Sequence, residues 1–373
     1  MSVGKHVVIW RSLLLPGSET FIRNQGGNLT EWRPTYLGAL RIQSPLTART
    51  DVIAYPDGLR GRVAFLLLRL TGGSRRLRGL LTGLRPAVVH AHFAGDGWLI
   101  SRSAVRAGAP LIITLHGLDV TKQPTAAGMR GSRYRRNLRT AFDRATVILA
   151  VSEFIRGRAI ALGADPAKVR VHHTGVPLPP VPDPVEPASD LLFVGRFVEK
   201  KGIDDLIEAV GLLPEPRPRL VLIGAGPLEE TMRRRAEALG LDATFLGSRD
   251  SAEVSRRMAE SRIFVSPSKT AADGDSEGLP TTILEAAGHG LPTVSTHHSG
   301  IPEAVVHGET GLLGAEGDPA ALAANIALLL ADEELRARLG KQARAHVEAN
   351  FDLAKQTRLL EALYDTVSTS PRA

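Results

Sequence analysis

Two glutamates eight positions apart, Glu277 and Glu285, stand in the segment DGDSEGLPTTILEAAGHGLPTV, which runs from Asp273 to Val294. Gly278, Leu279, Pro280, Thr281 and Thr282 lie between them, and an apolar run follows. Proline suits the first turn of a helix, where its missing N–H is no loss. The segment therefore predicts a helix opening at Pro280, with Glu277 in the loop before it and Glu285 in about its second turn. The N–H groups of Thr281 and Thr282 would point out of the helix start, a place that favours phosphate. A carboxylate beside such a place is suited to accepting hydrogen bonds from hydroxyls. Phosphates in the middle and hydroxyl-rich rings at both ends describe a nucleotide sugar. The plain alternative is a capped surface helix with ordinary acidic residues.

A second group supplies positive charge. Residues 191–203 read LLFVGRFVEKKGI, an apolar run leading into Gly195 and Arg196, then Lys200, Lys201 and Gly202. Strand, glycine turn and helix start is a common phosphate-binding place in an open α/β sheet. Arginine can grip phosphate oxygens with two parallel bonds, and lysine adds a point charge. The alternative is a solvated basic loop.

A third group lies in the first half. LIITLHGLD places His116 after an apolar run, with Gly117 and Asp119 beside it. Upstream, Gly17 precedes SETFI, where Glu19 either caps a helix start or faces a ligand. His90 and His92 end another apolar run, VVHAH, and acceptor contact and simple packing are equally open for them.

Together these segments resemble the retaining GT-B glycosyltransferases of family 4. Glu277 and Glu285 match the family's E-x7-E signature, Gly195 to Gly202 matches G-R-x-x-x-x-K-G, and His116 matches its histidine–glycine element. SETFI resembles a subset that builds bacterial polysaccharides, including colanic-acid-type transferases. The resemblance implies that Glu277 lies by the donor sugar and Glu285 holds the ribose. It implies that Arg196 and Lys201 neutralise the donor diphosphate, with Lys200 able to share that role, and that His116 contacts the donor sugar near its reacting carbon. Gly195, Gly278, Leu279, Thr281 and Thr282 would line the donor site, and the base would lie near Gly247, Ser248 and Arg249. Glu19, His92 and Asp119 are the candidate acceptor contacts. Many relatives have a double glycine where this chain has Gly17 alone, a departure that bears on that loop's phosphate contact. The nucleotide sugar, most simply a UDP-sugar, is a co-substrate, and no cofactor or metal is expected. Preorganised cations at the leaving diphosphate can replace a metal by stabilising charge that develops in the transition state.

These residues need elements to hold them. Both halves alternate short apolar runs with helical stretches, which predicts two Rossmann-like parallel-sheet α/β domains. The resemblance adds that they face a central cleft. Expected strands are His6–Trp10, Val88–His92, Leu111–Leu115 and Thr146–Val151, then Leu191–Val194, Leu220–Ile223, Ala243–Leu246, Ile263–Val265 and Thr293–Ser295. Residues 1–175 form the expected acceptor domain and 188–350 the nucleotide-sugar domain. Between them, 176–187 hold six prolines and read as a stiff linker. A helix over 351–366 is expected to cross back to the first domain, and the tail after Val367 to be disordered.

Length and composition agree with this division. A chain of 373 residues is long for a single core. It has no cysteine, which excludes disulfides and thiolate metal sites. MSVGKHVVIW lacks a signal-peptide pattern, and no apolar run reaches membrane-spanning length. A cytoplasmic protein is expected, with peripheral contact on the inner face of the cell membrane. The net charge of +7 is unevenly divided, because residues 1–175 hold 26 Lys+Arg against 9 Asp+Glu. A basic half suggests an anionic partner. Its run Arg60, Arg62, Arg69, Arg75, Arg76, Arg78 and Arg85 is interleaved with leucines and broken at Gly72–Gly73. It suits an anionic membrane surface or a solvated helical face over a buried leucine stripe. Nucleic acid is disfavoured, since no aromatic platform accompanies the charge.

Two further signals are discounted. Asp273-Gly274-Asp275 has a D-x-D look but abuts the glutamate loop, and Gly224-Ala225-Gly226 lacks the third glycine and distant acid of a dinucleotide fingerprint. The latter excludes a dehydrogenase. The acceptor is a hydroxyl, either on a lipid-linked glycan or on a small soluble natural product. A non-catalytic sugar-nucleotide sensor is the alternative of another class.

Overall fold

The computed structural model describes residues 5–180 and 186–369. The chain divides into two compact units, one of residues 1–175 with 353–373, the other of 176–352.

In the first unit the strands are β1 (His6–Leu13), β2 (Arg33–Leu40), β3 (Val52–Ile53), β4 (Val88–His92), β5 (Leu111–Leu115), β6 (Val147–Ala150) and β7 (Val169–Val171). They lie in the order β3-β2-β1-β4-β5-β6-β7, and every pairing is parallel. The second unit holds β8 (Ser189–Val194), β9 (Leu220–Ile223), β10 (Ala243–Phe245), β11 (Ser261–Ser266), β12 (Thr293–Thr296) and β13 (Gly311–Gly314). Their order is β10-β9-β8-β11-β12-β13, again all parallel. Strands buried on both faces are near-continuously apolar, and LIITL, VILA and LVLI follow that rule.

Each order reverses direction once, between β1 and β4 and between β8 and β11. In such sheets ligands bind beyond the C-terminal strand ends at the reversal. The candidate residues cluster at those ends. Helices α1 (Thr20–Gly27), α2 (Leu59–Thr71), α3 (Arg75–Leu84) and α4 (Ala94–Arg106) carry the chain between the first strands.

The last helix, Leu353–Thr369, packs on the first unit. Leu360, Tyr364 and Val367 join Val7, Ile9 and Trp32 in one core cluster. Glu361 accepts hydrogen bonds from the backbone N–H of Thr30, Glu31 and Trp32 at 2.8, 2.8 and 3.1 Å. The helix runs past Val367 to Thr369, and the tail beyond, 370–373, lies outside the described residues.

The proline-rich stretch is not wholly a spacer. Val176 is buried and its N–H donates to Phe351 O at 2.9 Å. Pro179 O accepts from Arg344 at 2.9 Å, so the stretch begins by packing on the second unit. Residues 181–185 of the expected linker lie outside the described residues.

Candidate functional site

In the second unit, β8 delivers the chain to Gly195 and Arg196, and a short 3-10 turn, Glu199–Lys201, follows. A Cβ placed on Gly195 would sit 3.5 Å from both Cδ and Cε of Lys201, so the lysine stem lies across this glycine. A Cβ on Gly224 would meet Gly195 O at 1.8 Å, and Gly224 has φ +142°. A Cβ on Gly226 would meet Phe197 O at 2.5 Å. The Gly224-Ala225-Gly226 glycines thus let the loop after β9 pack on the loop carrying Arg196. Gly247 joins the same edge, its carbonyl accepting from Gly224 N at 2.9 Å.

Glu277 is buried against this corner. Its Oε1 lies 2.8 Å from Lys201 Nζ and its Oε2 3.9 Å from Lys200 Nζ. Burial pushes its pKa up, but the charges of Lys201 and Lys200 outweigh that and hold it at about 2. It is a fixed anion at neutral pH and cannot serve as a general acid. Its N–H donates to His298 Nε2 at 3.1 Å. The other ring nitrogen, Nδ1, therefore carries the proton and donates to Glu316 Oε1 at 2.7 Å, while Glu316 Oε2 accepts from Thr270 N. His298 and Glu316 thus brace the loop that presents Glu277.

Lys200 departs from its expected share in diphosphate binding. It is buried, donates to Asp275 Oδ1 at 3.0 Å and to Ser276 O at 3.3 Å, and so ties down the glutamate loop. Asp275 is accordingly spoken for, and its N–H closes a turn on Asp273 Oδ1. Among the described residues no group of three or more His, Asp or Glu could hold a metal ion.

Arg196 is exposed, and its guanidinium has no hydrogen bond or ion pair among the described residues. The helix expected at Pro280 opens at Thr281 and runs to Gly288, with Pro280 as the residue before its first turn. Gly278 and Leu279 are buried in the approach to it, Thr281 and Thr282 are half-buried at its start, and Thr282 Oγ1 is buried without a partner. The free N–H groups of a helix start favour anions. Glu285 is half-buried, and its carboxylate has no partner among the described residues. Burial pushes its pKa up to about 7. Arg249 is exposed and donates to Ser248 O, and no hydrogen bond or ion pair ties it to the Lys201–Glu277 pair.

In the first unit, His116 follows β5 and packs between Phe21 and Phe93, ring centroids 4.8 and 4.6 Å away. Phe93 sits at φ +68°, a conformation rare for a bulky residue. Burial, then Arg11 and His90, push the His116 pKa down to about 3, so the imidazole is neutral. Its Nε2 lies 3.1 Å from His92 Nδ1.

That contact settles which nitrogen carries the proton. His92 is buried, with its own Nε2 unpartnered. An orphaned buried N–H is rarer than an orphaned acceptor. The proton on His92 therefore sits on Nδ1 and is donated to His116 Nε2. His116 is left with an Nδ1–H, a neutral donor suited to a ligand hydroxyl.

Three expected acceptor contacts are corrected. His92 is behind His116 rather than at a surface. Asp119 is buried, with Oδ1 accepting from the N–H of His116 and Gly117 and Oδ2 from Ala94 N at 2.9 Å. It ties the end of β5 to the start of α4 and so aims His116. Glu19 precedes α1 but makes no side-chain cap, because both its oxygens bind Arg11. Gly17 is exposed in the turn before α1. Neither Arg11 nor the His298–Glu316 brace was legible in advance. His298 follows a strand end in HHSG, a usable signal, whereas Glu316 has none near Glu277 in sequence.

The sequence pattern of the group 1 glycosyl transferases matches residues 181–346, and that of Glycosyltransferase Family 4 matches residues 24–178. The chain is 33% identical over 297 residues to WcaL of Escherichia coli, named as a colanic acid biosynthesis glycosyltransferase, covering 76% of this chain and 71% of that one. It is 31% identical to the amylovoran biosynthesis glycosyltransferase AmsK of Erwinia amylovora, over 65% of this chain and 60% of that one. Among solved structures, HepE of Anabaena in complex with UDP superposes with a TM-score of 0.78 at 19% identity, covering 97% of this chain and all of that one.

Proposed function

The chain belongs to the family 4, group 1 glycosyltransferases and has their GT-B fold of two parallel-sheet domains, and from that premise we propose that it transfers a sugar from a UDP-sugar to a hydroxyl of a lipid-linked glycan during polysaccharide assembly. The observation that carries the donor half is the Lys201–Glu277 pair beside an unpartnered Arg196 and a helix start. The two cations and the N–H groups take the diphosphate. Glu277, fixed as an anion, accepts hydroxyl hydrogen bonds from the sugar. Glu285 takes the ribose hydroxyls.

Transfer proceeds with retention and without a metal in this reading. The acceptor oxygen bonds to the anomeric carbon on the face from which the diphosphate leaves, and the acceptor proton passes to the departing phosphate oxygen. Arg196 and Lys201 stabilise the charge gained by that oxygen. His116 offers its Nδ1–H to a sugar hydroxyl. Glu277 is committed to Lys201, which disfavours it as a covalent nucleophile.

The acceptor and membrane readings rest on kinship and on charge. WcaL and AmsK are named for colanic acid and amylovoran biosynthesis. No helix among the described residues is long and apolar enough to cross a membrane. Peripheral contact at the inner face of the membrane is supported by α2, where Leu59, Val63, Leu66, Leu67 and Leu70 form one helical stripe, all exposed. The alternative of a buried leucine stripe holds in α3, whose Leu77 and Leu81 are buried, but not in α2.

The test is product analysis by proton NMR with UDP-sugars and a lipid-linked acceptor in EDTA. Product with the donor's anomeric configuration is expected. Inverted product, or a requirement for divalent metal, would refute this mechanism.

A further inference from the structure

A cleft of ≈ 140 Å³ opens on the first unit where α2 ends and α3 begins. It is lined by Ser74, Arg75 and Arg78 from the start of α3 and by Arg102 and Arg106 from the last turns of α4. All four arginines are exposed, and none of their guanidinium groups has a hydrogen bond or ion pair among the described residues. A Cβ on Gly73 would sit 2.9 Å from Arg102 Cδ, so the glycine lets this side chain lie over the loop. Ser74 Oγ caps α3 by accepting from Leu77 N, and Ser103 Oγ donates to Ser74 O, fixing the two helices together. The field here is uncompensated enough to be felt nearby: Arg144 has its pKa lowered by burial and then by Arg102 and Arg106.

The cleft is separate from the His116 site. Arg102 and Arg106 lie roughly 12 and 18 Å along α4 from its first residue, Ala94, which adjoins His116 through Asp119. Four guanidinium groups around a helix start, with no carboxylate among them, suit tetrahedral phosphate oxygens. The exposed apolar stripe of α2 leads directly into this cleft through Gly72 and Gly73. An apolar stripe beside unpaired arginines is the chemistry of an anionic bilayer surface.

We propose that Arg75, Arg78, Arg102 and Arg106 form a phosphate pocket that takes the headgroup phosphate of an anionic phospholipid while the α2 leucines enter the interface. The proposal rests on the membrane reading above and gives it a defined ligand site. The pocket anchors the first unit, so that a lipid-linked hydroxyl is met at the surface rather than extracted into water.

The experiment is co-sedimentation of the full chain with phosphatidylcholine vesicles with and without phosphatidylglycerol. Three variants are compared with the parent: R75Q/R78Q/R102Q/R106Q, the charge-matched R130Q/R136Q/R139Q/R170Q, and L66S/L67S/L70S. Melting curves and soluble-donor turnover check that each is folded. The parent should bind only phosphatidylglycerol vesicles. At about fivefold per arginine near the surface, loss of four arginines should cost the pocket variant about 600-fold, clearly more than the charge-matched control. Equal losses in those two, or none in the pocket variant, would overturn the pocket and leave membrane binding standing. No vesicle binding by the parent would overturn the membrane reading and the pocket with it.

Discussion

Lys201 Nζ stands 2.8 Å from Glu277 Oε1, so the cation assigned to the diphosphate and the carboxylate assigned to the sugar hold each other before any donor arrives. The pair is preorganised, and Glu277 keeps its charge over the whole working range because its pKa is held at about 2. Removing one member of a buried pair leaves the other uncompensated. Glu277→Gln should therefore cut turnover by about 100-fold or more and lower the melting temperature by a few degrees. Turnover within threefold of the parent would remove Glu277 from the site.

Glu285 behaves oppositely. Its pKa, near 7 when folded, exceeds its unfolded value, so its contribution to stability is present below the unfolded pKa and is lost as pH rises through about 7. Glu285→Gln should stabilise the protein at pH 8, by on the order of 2 kcal/mol, with the gain shrinking as pH falls below about 7 and vanishing below the unfolded pKa. The same change should weaken nucleotide binding, because an ionised carboxylate accepts from two ribose hydroxyls and more strongly than the single amide oxygen of glutamine. In the parent, nucleotide affinity should rise with pH across neutrality. Calorimetric melts and titrations at pH 5, 6, 7 and 8 check both trends, and a pH-independent difference in stability would contradict them.

His92→Phe tests the hydrogen bond that orients His116. The ring loses its donor, and His116 is free to place its proton on Nε2. Turnover should fall about tenfold or more while nucleotide affinity stays the same. Nitrogen NMR should show the His116 proton on Nδ1 in the parent and a tautomer mixture in the variant. A parent protonated at Nε2 would contradict the assignment.

Gly224→Ala places a Cβ against Gly195 O at a φ of +142°. It should destabilise the second unit by about 2 kcal/mol or more and raise the apparent dissociation constant for nucleotide. A stable variant with normal nucleotide binding would mean that the Arg196 loop tolerates displacement.

The strand cores and the Lys201–Glu277 corner were legible because parallel strands are continuous apolar runs and the corner's residues sit in short motifs. Four strands were not. Here β3, β7 and β13 are edge strands of two to four residues, too short to stand out as apolar runs, and β2 opens with Arg33-Pro34. Sequence also could not say which candidate side chains were already engaged. Glu19, Asp119 and Lys200 have the right types for ligand contact, but each is held by partners that its local motif does not announce: Arg11 for Glu19, Ala94 N for Asp119 and Asp275 for Lys200. The Arg196 and Glu285 side chains, which nothing among the described residues engages, look the same on paper.

The most direct measurement is nucleoside diphosphate release from UDP-, GDP-, ADP- and dTDP-sugars in EDTA, comparing the parent with Glu277→Gln and Arg196→Ala, with binding of each donor measured alongside. The account predicts tight binding of one donor class and slow release from it in the parent. Release should be lost in Glu277→Gln, and both binding and release weakened in Arg196→Ala. No binding of any nucleotide sugar, or equal behaviour in all three proteins, would contradict it.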